Sequence, residues 1–185
     1  MSRTEQPRYT IVESQTAIEL RDHAPMIVAE TEAAGSREAA INAGFRILAD
    51  YIFGNNQAAQ RVPMTAPVFQ QTSEKIPMTA PVMQQVRQGA WRVRFVMPSR
   101  FTLETLPKPN NPAVTVREEP GRRLAVIRFS GRPLPDRLKE RTGELMAFIE
   151  SRSLPVAGEP VYAFYDPPWT LPFLRRNEVM VEITR

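Results

Sequence analysis

A proline-bearing heptapeptide occurs twice in this chain, and it restricts the fold more than any other feature. Val62-Pro63-Met64-Thr65-Ala66-Pro67-Val68 returns fourteen residues later as Ile76-Pro77-Met78-Thr79-Ala80-Pro81-Val82, and each copy is followed by two glutamines, Gln70-Gln71 and Gln84-Gln85. Proline has no N–H to donate and a fixed φ, so neither copy can continue a helix or lie in mid-sheet. Both copies read as interrupted, edge-like strands joined near Thr72-Ser73-Glu74.

The residues around this segment divide into two similar runs. Thr10 to Leu20 is extended, with Ile18 and Leu20 alternating with Glu19 and Arg21 as in a half-buried strand. A turn at Asp22 to Pro25 precedes a second strand, Met26 to Thr31. Ser36 is a plausible N-cap, and Ile41, Phe45, Leu48 and Ile52 fall on one helical face before Gly54-Asn55-Asn56 ends it. Trp91 to Met97 is a strand, and a proline-rich link follows from Pro107 to Pro112.

The order then returns. Val114 and Val116 alternate in a strand that stops at Pro120-Gly121, and Leu124 to Phe129 is the next strand. A helix from Asp136 to Arg152 carries Leu138, Leu145 and Ile149 on one face and Arg137, Lys139, Glu140 and Glu144 on the other. Val161 to Tyr165 and Glu178 to Ile183 are the last strands, separated by a long loop that opens with Pro167-Pro168. A local echo, Leu20-Arg21-Asp22 against Val116-Arg117-Glu118, supports the repetition. The expected fold is α+β: a distorted antiparallel β-barrel built from two pseudo-repeated strand-strand-helix-strand-strand halves, with two helices packed outside. Residues 1–8 read as a polar tail and 9–185 as one domain, with halves at about 9–106 and 113–185.

Composition narrows the function. The 185 residues include no cysteine and one histidine, His23, which excludes thiolate chemistry, disulfides and any multi-imidazole site within one chain. The net charge of +4 is spread out, and the only tight basic pairs are Arg122-Arg123 and Arg175-Arg176. That pattern does not suggest nucleic-acid binding. No apolar run approaches a membrane span, and Met1 to Arg8 lacks the core of a signal peptide, so a cytoplasmic protein is expected. Glu118-Glu119, beside a turn, reads as a solvated pair. His23 reads either as a partly exposed turn residue or as an axial ligand to haem iron.

Two segments suggest a ligand. Asn42, Phe45, Ala49 and Phe53 are small or apolar beside the core face of the first helix, which reads either as further burial or as a shallow groove for a flat molecule. The Pro167-to-Arg176 loop carries Trp169, Leu171, Phe173 and Leu174 and ends in Arg175-Arg176, whose forks suit a ligand's carboxylates or neighbouring Asp166 and Glu178.

The chain resembles the SOUL haem-binding protein family in Ile18-Glu19-Leu20-Arg21, in both Pro-Met-Thr-Ala-Pro-Val copies, in Phe95-Val96-Met97-Pro98-Ser99, in Tyr165-Asp166-Pro167-Pro168 and in Arg175-Arg176-Asn177-Glu178-Val179. The resemblance implies the distorted barrel with two flanking helices, and haem or another porphyrin as ligand. In some members an axial histidine follows the Glu-x-Arg stretch; here Asp22 holds that place and His23 comes next. In others a groove along the first helix uses methionine and arginine; the matching places here are Asn42, Phe45 and Ala49, with the Pro167-to-Arg176 loop above them. The leading expectation is a monomeric carrier or buffer for a tetrapyrrole or a similar flat, apolar, acidic molecule. The alternatives are an enzyme acting on a tetrapyrrole or another apolar substrate, with His23 or a groove carboxylate as proton donor, and a module that presents the apolar loop to a partner protein.

Overall fold

The computed structural model describes residues 4–58 and 73–184, so the first copy of the proline motif lies outside the described residues. Nine strands form one antiparallel sheet. In chain order they are β1 (Tyr9–Gln15), β2 (Ile18–His23), β3 (Met26–Ala33), β5 (Val82–Arg87), β6 (Ala90–Val96), β8 (Thr115–Glu119), β9 (Arg122–Phe129), β10 (Val161–Phe164) and β11 (Asn177–Ile183). A separate two-residue ladder joins β4 (Asn56–Gln57) to β7 (Lys108–Pro109) within the proline-rich link. The helices are α1 (Arg37–Phe53) and α2 (Pro135–Ser151).

The sheet order, β1-β2-β9-β11-β10-β5-β6-β3-β8, explains its shape. β2 and β3 lie near opposite ends of the sheet, yet only Ala24 and Pro25 connect them; β8 and β9 are joined as briefly by Pro120 and Gly121. Such short connections are possible only if the sheet curls until its ends approach each other. The two connectors touch, since a Cβ on Gly121 would lie 3.0 Å from the His23 carbonyl oxygen. The result is a half-barrel, a more open form of the distorted barrel expected. Among the described residues β1 and β8 are its edges, and Pro25 and Pro120, without N–H groups, cannot extend the ladder across the gap.

Strand alternation assigns the two faces. The outer face holds one apolar cluster under each helix: Ala29, Val93 and Phe95 beneath Leu48 and Ile52 of α1, and Ala125, Ile127 and Val179 beneath Leu138, Leu145 and Ile149 of α2. The inner face holds a third cluster, including Val28, Met83, Val126, Ala163 and Met180. Each large aliphatic side chain removed from water contributes about 1.5–3 kcal/mol.

Local chemistry sets the helix ends. The Ser36 hydroxyl accepts the Ala39 N–H, and Gly54 at φ 130° ends α1 where a side chain would strain the backbone. The core face of α1 is rotated from the expected one. Ala40, Gly44, Leu48, Tyr51 and Ile52 are buried, whereas Ile41 is half-buried and Phe45 is 38% exposed. The small residues decide this. A Cβ on Gly44 would lie 2.7 Å from Val93 Cγ2, so the helix seats its thinnest line of side chains on the sheet.

Other differences are local. The expected strand from Thr10 to Leu20 is two strands, broken at Thr16-Ala17, where Thr16 has φ 55°. The turn placed at Asp22 to Pro25 shrinks to Ala24-Pro25, and β2 continues through His23. The second proline copy is irregular up to Pro81, and the strand begins at Val82.

Candidate ligand-binding site

The flank of α1 keeps part of its expected surface. Asn42, Phe45 and Phe53 are exposed, Phe53 at 61%, while Ala49 is 9% exposed and belongs to the buried side. Phe45 meets the buried Phe95 ring edge-on at 5.3 Å, which fixes its position over the rim of β6. Arg46, which the sequence reading passed over, is exposed on the same stripe, at spacings of four from Asn42 and seven from Phe53. The Gly44–Val93 approach leaves no room under the helix there, so a flat ligand would lie against this outer stripe.

The loop between β10 and β11 is also apolar and open: Trp169 is 83% exposed, Phe173 69%, and Leu171 and Leu174 more than half. It is tied to the β9–α2 connection, where Gly131 N–H donates to the Pro172 carbonyl and Asn177 donates to the Gly131 carbonyl. Its arginines are engaged within the protein. Arg175 donates to the carbonyls of Thr170 and Pro168, and Arg176 pairs with Glu178 at 2.8 Å over the face of Tyr165. A ligand's acidic groups would have to displace these bonds.

His23 is neither in the turn nor exposed. It ends β2 on the inner face, 5% exposed, with its ring stacked on Tyr9 at 5.1 Å. Burial, together with the nearby Arg21 and Arg122 charges, lowers its pKa to about 4, so the ring is neutral at physiological pH. Among the described residues, neither ring nitrogen finds a hydrogen-bond partner. The cavity it borders is about 30 Å³, room for about one water molecule. A porphyrin does not fit in that cavity.

The inner face also holds charged clusters that the sequence reading did not anticipate. Arg21 forms a two-pronged pair with Glu178, at 3.0 Å for both contacts, and Glu178 also accepts from Tyr165 and Arg176. Glu119, expected to be solvated, is 2% exposed and accepts from Arg94, Arg117 and Arg122. The clustered residues follow the strand alternation, but on the face that a flat sheet would have turned to water. Arg123, the other half of that basic dipeptide, lies on the opposite face and pairs there with Asp22.

A larger open space lies elsewhere. A cleft of about 620 Å³ is bordered by the segment 5–8, the β2–β3 connector and the loop after β6. Ile27, Met97, Phe101 and Leu103 give it apolar walls, and Glu5, Glu104 and Glu118 outnumber Arg8 around it. Glu5 accepts the Ser99 N–H, and the hydrogen bonding at Ser99 lowers its pKa, which holds it as a fixed negative charge.

Comparison with known proteins assigns the class. The SOUL heme-binding protein family matches residues 4–182, and the chain belongs to that family. Among solved structures, the C-terminal domain of EcmrR shares the fold at a TM-score of 0.65 and 12% identity, covering 96% of this chain and 98% of that one. A hydrolase from Listeria innocua aligns at 0.53 and 12% identity, over 99% and 94%. No curated protein matches. Among the described residues, no helix is long and apolar enough to cross a membrane, and no group of three or more His, Cys, Asp or Glu side chains could hold a metal ion.

Proposed function

We propose that the protein binds haem, or a similar flat, apolar and acidic tetrapyrrole, along the outer stripe of α1, as a cytoplasmic monomeric carrier or buffer. Family membership supports the ligand class. The observation that carries the location is the exposed stripe of Phe45 and Phe53 with Arg46 beside it. The rings offer stacking surface, and the guanidinium offers a partner for a carboxylate. The acidic border of the 620 Å³ cleft would repel the same ligand. Covering about 300 Å² of apolar ligand surface contributes roughly 7 kcal/mol before the cost of association, which suits micromolar binding.

Affinity on this reading comes from the porphyrin face and its acids, not from iron. Residues 9–185 act as one domain. The two halves form an internal repeat, and the strand order supports this: outward from the β10–β5 contact it runs β11-β9-β2 on one side and β6-β3-β8 on the other.

Absorbance titration with haemin and with metal-free protoporphyrin tests the proposal. Both should bind with similar micromolar affinity, and Phe53→Asp should weaken both by at least about tenfold. No Soret shift at tens of micromolar haemin would refute it. Binding of haemin but not of the metal-free porphyrin would refute the iron-independent mode.

A further inference from the structure

The small inner cavity has an unusual border. His23 from β2, Met26 from β3, Met83 from β5 and Met180 from β11 all line it, although these strands are scattered through the sheet order. Met83 and Met180 are each 3% exposed. The cavity of about 30 Å³ is therefore bordered by one histidine and three methionines, with Arg122, Glu159 and Glu182 also at its edge, in a chain with eight methionines and one histidine. Both nitrogens of His23 are buried and find no hydrogen-bond partner among the described residues. Buried polar groups are nearly always satisfied, so an imidazole left open at both nitrogens calls for a reason.

We propose that this cavity is a binding site for a single cuprous ion, held by the His23 imidazole and the sulfurs of Met26, Met83 and Met180. Thioether sulfur and neutral imidazole are soft or borderline donors and suit Cu(I), whereas Mg²⁺ and Ca²⁺ require oxygen ligands. The cavity has no room for a hydrated divalent ion. Glu182 borders it but is paired with Arg122 at 3.2 Å, which leaves the neutral donors to take the metal. A single positive charge is the least costly for such a site to bury. Methionine's unbranched side chain lets the sulfurs close on an ion without moving the strands. The site is separate from the outer stripe of α1, so copper and porphyrin should bind independently.

The test is anaerobic titration of the full-length protein with Cu(I) in competition with a chromophoric chelator, followed by X-ray absorption at the copper edge. One equivalent should bind, with mixed sulfur and nitrogen scattering, and Zn²⁺ or Mg²⁺ should not compete. Met83→Leu with Met180→Leu conserves side-chain volume and should keep the fold. It should lower Cu(I) affinity by at least about tenfold, and His23→Asn should do so on its own. Less than a tenth of an equivalent bound by the native protein would mean that the cavity holds water, and would overturn the proposal. Undiminished affinity in the folded Met83→Leu/Met180→Leu protein would place copper elsewhere and overturn it equally. If a variant fails to fold, the sulfur-to-nitrogen ratio around copper in the native protein decides alone, and scattering from oxygen and nitrogen without sulfur counts against the site.

Discussion

The two sides of the half-barrel carry helices of the same length, 17 residues, on the same face of the sheet, and use them differently. α1 lies close on β3 and β6 through Ala40 and Gly44, and its outer stripe presents Phe45 and Phe53 to solvent. α2 touches β9 and β11 through a narrow line, Leu138, Leu145 and Ile149, and its outer face is charged. Each side also centres on one buried glutamate. Glu178, near α2, is 0% exposed and takes both prongs of Arg21. Glu119 is shared among three arginines, each with another acceptor: Gln85 for Arg94, Glu30 for Arg117 and Glu182 for Arg122. Burial opposes ionisation of both carboxyls, and the surrounding guanidinium groups outweigh it, so both pKa values lie below the ordinary one. The arginines differ. Burial lowers the pKa of Arg94, and its Nε has no partner; Arg21 is raised despite burial by Glu178 and Glu19. The α2 side is thus the more fully satisfied in its buried charges, and α1 is the helix that leaves aromatic rings on its outer stripe.

The glutamates provide the sharpest contrast. Glu178→Ala should destabilise the protein by about 4 kcal/mol, because it removes the acceptor of both terminal nitrogens of the buried Arg21 and leaves only Glu19 on its Nε. Glu119→Ala should cost about half as much, since its arginines keep their second acceptors. Urea unfolding of both variants checks this, and a larger loss for Glu119→Ala would break the contrast.

Histidine protonation comes next in size. Because the folded pKa of His23 is about 4 and the unfolded value about 6.5, the unfolded chain takes up the proton first as pH falls. The neutral ring's contribution is complete above pH 6.5 and is lost towards pH 4, by roughly 3 kcal/mol. Denaturant melts across that range should show the slope, and His23→Asn should flatten it. Further loss below about pH 4.5 would come from Glu119 and Glu178.

The glycines of the helices give the smallest effects, with opposite signs. Gly44→Ala should destabilise by about 1–3 kcal/mol, because its methyl meets Val93. Gly143→Ala, with nothing within 4 Å, should stabilise by about 0.5–1 kcal/mol. Thermal melts that moved the same way in both would remove the packing distinction between the helices.

Much of the architecture was legible in local sequence. The α2 face was read correctly because a charged surface opposite three aliphatics leaves one orientation open. For α1 the same period pointed to Ile41 and Phe45 instead of Ala40 and Gly44, since hydrophobicity does not register the value of being small where two backbones approach. The apolar loop was anticipated as a surface, but the partners of Arg175 and Arg176 were not decided by their positions in the chain.

Sequence alone determined the alternating strands, the two helices, the Ser36 cap of the first, the family and the absence of cysteine chemistry. Tertiary structure decided which polar strand faces would close on themselves. Arg21, His23, Arg94, Glu119 and Glu178 sit at positions that alternation marks as outward. The short β2–β3 and β8–β9 connectors curl the sheet and turn that face inward. Period-two patterning fixes which residues share a face, but curvature depends on pairings between strands more than a hundred residues apart, and no local pattern contains them.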